Sequence, residues 1–409
     1  MERCGRWWIR FWRPMKFACV ELYTKSGEIW RPTPERPNYL CDQRREIDVN
    51  SFGCWTSALS GEHIPLSWFV TGKKGRPAHQ PATFFERARH KAKKVIFGER
   101  FPYRNLDYIK KFDVVLVCHH ENSHWEMLHF LIKAKKVSPS TLFLATYGVY
   151  QFGRVMELWR NPRWYRSFVD FIEASDFFLT VNRAAEDLLR LSTNKPLAYF
   201  PPFYPYEYTR RFYRRRDQKE KTIYVAGNTK RSGVLVGLFL AKALQKKYPE
   251  HKIKLTDWGG INLEPLKGCD YELLPRTSWQ SYLEETSRAL VILNTDTGWT
   301  NGRVPLDAAA VGTPCIGCNA NGQLECFPDL ACADIEGIGE AIALGERLIK
   351  DPSFYQAVQQ KALERLESFS YENSRKRFET LISMVRENRV FEQGVVPEEV
   401  SEISFSGRP

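Results

Sequence analysis

Short apolar runs alternate with helical segments along this chain, and each run ends in a loop of glycine or polar residues. Residues 16–21 (KFACVE), 112–118 (FDVVLVC), 140–148 (STLFLATYG), 175–182 (SDFFLTVN) and 195–205 (KPLAYFPPFYP) read as strands. A second series follows at 221–233 (KTIYVAGNTKRSG), 252–260 (KIKLTDWGG), 271–276 (YELLPR), 289–294 (ALVILN) and 313–317 (TPCIG). Short, continuously apolar strands separated by helices call for a mostly parallel sheet covered on both faces. With 409 residues the chain is long enough to bury two such cores. Two α/β halves in tandem leave a cleft between them, and a cleft is where ligands bind.

One corner of the second half concentrates the chemistry. After ALVILN come the loop Thr295–Gly302, a brief helix with Pro305 in its first turn, a stop at Gly312, and the next strand. A helix that starts where a strand ends presents free N–H groups to an anion. Arg303 and Asp307 lie on this helix. A carboxylate can accept two adjacent hydroxyls together, whereas an arginine suits a diphosphate. An ordinary helix with a solvated aspartate is the plain alternative.

The net charge of +12 belongs to the first part of the chain: residues 1–220 hold 38 Lys+Arg against 23 Asp+Glu. A field of this kind attracts phospholipid headgroups, phosphorylated carriers or nucleic acid. The basic, aromatic stretches MERCGRWWIRFWRP (1–14) and YEYTRRFYRRRDQKE (206–220) are its most concentrated parts. The first combines tryptophans with arginines and suits docking on an anionic membrane surface; Met15 offers an alternative start. Arginines interrupt its apolar stretch, so it does not read as a signal peptide, and no run is apolar enough to span a membrane. The expectation is a cytoplasmic protein with a possible peripheral membrane contact. Cys315, Cys318, Cys326 and Cys332 are spaced like zinc ligands, but Cys315 falls within a strand and a second C-x2-C is missing, so buried free thiols are expected.

The order strand–GNTKRSG–helix, then YELLPR before a helix and strand, then an acidic residue five positions before GTP, resembles the donor-binding domain of GT-B glycosyltransferases. Within them it is most similar to the glycogen-synthase-like family 4 (glycosyl transferases group 1). The resemblance implies an α/β fold of two Rossmann-like domains facing across a cleft. It implies a nucleotide-sugar co-substrate, no other cofactor, and no metal. Asp307 matches the carboxylate that holds the ribose. Gly227, Asn228, and Lys230 or Arg231 match the loop that meets the diphosphate, with Gly302, Arg303 and Arg276 joining the donor site. Where the family has a second carboxylate, this chain has Trp299, so sugar contacts fall to Gly298, Thr300, Asn301 or Asp296. The segment DVVLVCHHENSH resembles the acceptor side, with His119, His120 or Glu121 as a base if the enzyme inverts.

The resulting division is an extension at 1–14, an acceptor-side domain at 15–205, a basic linker at 206–220, a donor domain at 221–372, a C-terminal helix at 373–390 and a tail at 391–409. The expected activity is metal-independent transfer of a hexosyl group to a glycan or lipid-linked acceptor. A DNA-modifying glycosyltransferase, a nucleic-acid-binding protein on the same fold, and a sugar-nucleotide epimerase are the alternatives.

Overall fold

The computed structural model describes residues 15–21, 29–31, 51–70, 103–119, 124–147, 161–226, 233–257, 262–275, 277–295, 302–318, 322–332 and 337–387. The 1–14 extension and the 391–409 tail lie outside them. The first sheet contains β1 (Phe17–Glu21), β2 (Glu62–Pro65), β3 (Val114–His119), β4 (Leu142–Tyr147), β5 (Phe177–Thr180) and β6 (Leu197–Tyr199), in the order β2-β1-β3-β4-β5-β6. The second contains β7 (Thr222–Val225), β8 (Lys252–Thr256), β9 (Tyr271–Leu274), β10 (Val291–Asn294) and β11 (Cys315–Gly317), in the order β11-β10-β7-β8-β9. All neighbouring strands are parallel.

The helices are α1 (Ser51–Ala58), α2 (His124–Val137), α3 (Pro162–Ala174), α4 (Arg183–Arg190), α5 (Val234–Lys247), α6 (Trp279–Arg288), α7 (Arg303–Ala310), α8 (Gln323–Cys326), α9 (Ile338–Lys350), α10 (Pro352–Glu367) and α11 (Tyr371–Arg386). Local chemistry sets their starts. Asn161 and Asp351 cap α3 and α10 just before a proline at N1, and Asn182, Ser278 and Ser370 cap α4, α6 and α11.

Each sheet changes direction once. From β1 the chain runs to β2 on one side and returns to β3 on the other; from β7 it runs through β8 and β9, then returns to β10 and β11. The crevices at the C-terminal ends of β1/β3 and β7/β10 are therefore the places where an open parallel sheet holds ligands.

A third apolar cluster joins the halves. It combines Phe17, Cys54, Trp55, Phe200 and Phe203 of the first half with Trp279, Leu283 and Val311 of the second and with α11. Phe378 of α11 meets the rings of Phe17, Trp55 and Phe200 at centroid distances of 5.8, 5.7 and 5.7 Å. The last helix thus packs back against the first sheet's core.

The basic linker is partly consumed by structure. The Arg216 guanidinium donates to the Ile349 carbonyl (2.7 Å) and lies over Tyr355, while Arg210 and Arg211 lie over Tyr206 and Tyr208. Lys219 Nζ donates to the Ser287 carbonyl (2.8 Å) and Thr313 Oγ1 (2.7 Å), tying α6 to the end of α7. The four cysteines of the zinc-like series are buried free thiols. Burial raises the pKa of Cys315 and Cys326 and pushes that of Cys332 up to about 11, which disfavours the thiolate a metal needs. Among the described residues, no group of metal-ligating side chains converges and no helix is long and apolar enough to cross a membrane.

Candidate functional site

At the β7/β10 crevice, strand ends lead into helix starts. Ala226 closes β7, Gly233 (φ 112°) precedes α5, and Thr295 Oγ1 donates to the Gly233 carbonyl at 2.6 Å. Gly302 (φ 74°) precedes α7, and Gly322 (φ 74°) precedes α8. The last two corners touch: a Cβ on Gly322 would stand 2.5 Å from the Gly302 carbonyl oxygen. Only glycine allows this approach with that backbone. The helices α5 and α7 follow the adjacent strands β7 and β10 and so start at one crevice, where the first-turn N–H groups of a helix lack partners within the helix itself.

The carboxylate and arginine of α7 do not point there as a free pair. Asp307 is 2% exposed. Its Oδ1 accepts from Tyr204 Oη (2.7 Å) and Arg303 Nε (3.1 Å), and its Oδ2 accepts from Trp279 Nε1 (3.0 Å). Three donors of the chain itself thus occupy the carboxylate expected to meet a ribose. Asp307 thus lies on the α7 face turned toward the junction between the halves.

Arg303 shares that environment. Its guanidinium lies 4.5 Å from the Trp279 ring and 5.2 Å from the Tyr204 ring, and Nη1 reaches Cys54 Sγ of α1 at 3.9 Å. Burial opposes its charge, but Asp307, with Cys54 and Tyr204, raises its pKa overall. Arg303 Nη2 has no partner, and neither does the buried hydroxyl of Tyr282, on which the same arginine acts electrostatically, whereas the Tyr371 hydroxyl lies beside Cys54 and Ser57. A buried polar group left unpaired costs about 1–3 kcal/mol. An unpaired guanidinium nitrogen and an unpaired phenol in this buried region mark a place where a bound polar group or ordered water would be stabilising.

On the other side, His119 ends β3 but is 3% exposed, with its ring against Phe168 (5.0 Å) and Phe171 (5.1 Å) of α3. Its ring is seated among these aromatic side chains at the end of the strand. His120, Glu121, Gly227, Asn228, Lys230, Arg231, Arg276, Asp296, Gly298, Trp299, Thr300 and Asn301 fall outside the described residues.

Sequence reading missed a second polar cluster at the junction. Tyr199 Oη of β6 donates to Glu325 Oε1 of α8 at 2.6 Å, and the Gly322 N–H donates to Glu325 Oε2 at 3.3 Å. Arg183 lies 5.0 Å from the Tyr199 ring, and Arg377 of α11 is coupled to both Tyr199 and Glu325. No spacing signal reveals this pair, since Tyr199 and Glu325 are 126 residues apart.

No family model matches the sequence, and no curated protein matches it. Solved structures do. Trehalose 6-phosphate synthase from Burkholderia multivorans superposes with a TM-score of 0.57 at 12% identity, covering 97% of this chain and 100% of that one. Sucrose-phosphate synthase from Thermosynechococcus elongatus gives 0.53 at 13% identity, with 91% and 100% covered. An α-glucosyltransferase in complex with UDP and a 13-mer DNA gives 0.53 at 11% identity, with 91% and 99% covered. The class defined by the two parallel sheets and their facing crevices is the GT-B fold. Fold is what likeness at this identity establishes.

Proposed function

We propose that this chain is a glycosyltransferase that binds a nucleotide sugar at the β7/β10 crevice and transfers its glycosyl group to an acceptor held by the first half. The observation that carries the proposal is the pair of helix starts, α5 and α7, at the switch point of the second sheet, beside a buried guanidinium with an unpartnered nitrogen. The developing charge on the leaving diphosphate would meet the N–H groups of the two helices, which need no reorganisation as the bond breaks. The loop at 227–232, with Lys230 and Arg231, would add cations to the same crevice. No metal is required for this chemistry, and excess EDTA should leave turnover intact.

In this reading Asp307 holds Arg303, Trp279 and Tyr204 in place, and the ribose is met by other groups of the crevice. The acceptor is a glycan or a lipid-linked sugar, consistent with the basic first half. The test is release of free nucleoside diphosphate from a panel of nucleotide sugars, with and without lipid or DNA. Release from no donor in the panel, together with no nucleoside diphosphate binding, would sink the glycosyltransferase reading. Turnover that rises only with duplex DNA would move the acceptor to nucleic acid.

A further inference from the structure

The linker at 206–220 carries aromatic residues among its arginines, and part of its charge is met within the chain. Arg210 pairs with Glu207 at 3.8 Å and Arg215 with Asp217 at 3.9 Å. Its rings lead elsewhere. Tyr208 stacks on Trp279 at the first turn of α6, with centroids 5.7 Å apart and planes inclined by 19°, and Phe212 meets Tyr208 at 5.9 Å. The exposed Arg211 lies over the Tyr208 ring at 5.8 Å. Trp279 in turn lies 4.5 Å from the Arg303 guanidinium and donates through Nε1 to Asp307 Oδ2. A continuous set of contacts therefore runs from the surface of the linker to the buried arginine of α7.

This set orients Arg303. A guanidinium is a rigid plane, so two constraints define where each nitrogen points. Asp307 accepts from Nε and sets the direction within the plane. The rings of Trp279 and Tyr204, 4.5 and 5.2 Å from the central carbon, set its tilt. The nitrogen left over is Nη2, buried and without a partner. Both of those residues also bond the Asp307 carboxylate, so a shift of the Trp279 indole moves the two constraints together.

We propose that Tyr208 is a positioning residue for Arg303: by stacking on Trp279 it holds the guanidinium with Nη2 directed at a phosphate group of the bound nucleotide. The proposal rests on the reading of the β7/β10 crevice as a nucleotide-sugar site. It gives the linker between the halves a part in binding, because its rings set the second half's affinity for phosphate without touching the ligand.

The test is a double-mutant cycle on the full chain, with Tyr208→Leu, Arg303→Met and the pair, read by calorimetric titration with UDP, inorganic pyrophosphate and uridine. Loss of an aromatic stacking partner corresponds to roughly a 3- to 10-fold change in affinity. Tyr208→Leu should weaken UDP and pyrophosphate binding by that factor and leave uridine unchanged. Tyr208→Phe keeps the ring and should bind like the wild type. In the Arg303→Met background Tyr208→Leu should cost no further affinity, because the group it positions is gone. A ring that only stabilises the fold would lower Tm and leave the ligand affinities unchanged, and that result overturns the proposal. So does an equal loss of UDP affinity in both backgrounds, or an equal loss for uridine. If Tyr208→Leu fails to fold, Tyr208→Met takes its place in the cycle. Wild-type binding of UDP or pyrophosphate that is insensitive to the Tyr208 change removes this role alone, whereas binding of neither by the wild type removes the crevice reading with it.

Discussion

Replacing Asp307 by alanine separates two roles that a carboxylate at this place could have. As a ribose clasp it would be dispensable for folding, and its loss would appear only in nucleotide affinity. The geometry assigns it a different weight, because it accepts from Tyr204, Trp279 and Arg303 while 2% exposed. Removing one partner of a buried ion pair costs about 3–5 kcal/mol, chiefly because the remaining charge is left uncompensated. For a domain of this size each kcal/mol moves the midpoint by about 2–4 °C, so Asp307→Ala should lower Tm by roughly 6–20 °C.

The second arm is Arg303→Met made on top of Asp307→Ala. Since the single change strands a buried guanidinium, removing that guanidinium should restore part of the loss, with a coupling energy of about 1–3 kcal/mol. Thermal and urea unfolding of the four proteins closes the cycle, and UDP titration of each folded variant completes it. Wild-type stability in Asp307→Ala with a specific loss of nucleotide affinity would refute the reasoning and return the residue to the ribose. Strictly additive stability losses would refute the ion pair as the source of the effect.

Tyr204→Phe removes one donor to the same carboxylate and should cost about 1.5–3 kcal/mol in urea unfolding, the range for a bond to a charged group; a change near zero would mean the bond does not form in solution. Gly322→Ala puts a methyl against the Gly302 carbonyl at a positive φ, so it should destabilise by about 1–3 kcal/mol and weaken UDP binding by displacing the α7 corner. Lys219 has its pKa lowered to about 7 by burial, so between pH 7 and its unfolded value near 10.4 the unfolded chain binds the extra proton. Wild-type stability should therefore gain a rising component with pH across that window, and Lys219→Met should remove it; identical pH slopes in urea midpoints would contradict the enclosed ammonium.

Much of the fold was legible because its signal is local. Runs such as 112–118 and 289–294 gave β3 and β10, since a strand buried on both faces must be apolar throughout. The strand that escaped was β2, Glu62–Pro65, where the sequence EHIP has neither an apolar run nor an alternation. His63 is nevertheless fully buried there, bonded through Nε2 to Glu21 Oε2 of the neighbouring strand at 2.8 Å. A polar residue enters such a strand when a partner across the ladder satisfies it, and that partner lies 42 residues away.

The candidate site divides along the same line. Gly302, Gly312, Pro305 and the strands on either side place the α7 corner at the switch point, and all of them can be read within a window of twenty-odd residues. The direction of the Asp307 side chain cannot be read there. It is set by Tyr204, 103 positions earlier on the segment leaving β6, and by Trp279, 28 positions earlier at the first turn of α6. Position along a motif fixes which crevice a residue is near, since backbone topology follows the local pattern. Orientation on the helix is decided by whichever distant donors reach the carboxylate, and a phenol and an indole already in the junction core outcompete solvent for a buried charge. The same logic explains His119, which ends the expected strand and faces α3 because Phe168 and Phe171 provide an aromatic seat for its ring. A pattern that locates a residue at a strand's end therefore constrains its chemistry only when the packing on both sides of that strand is known.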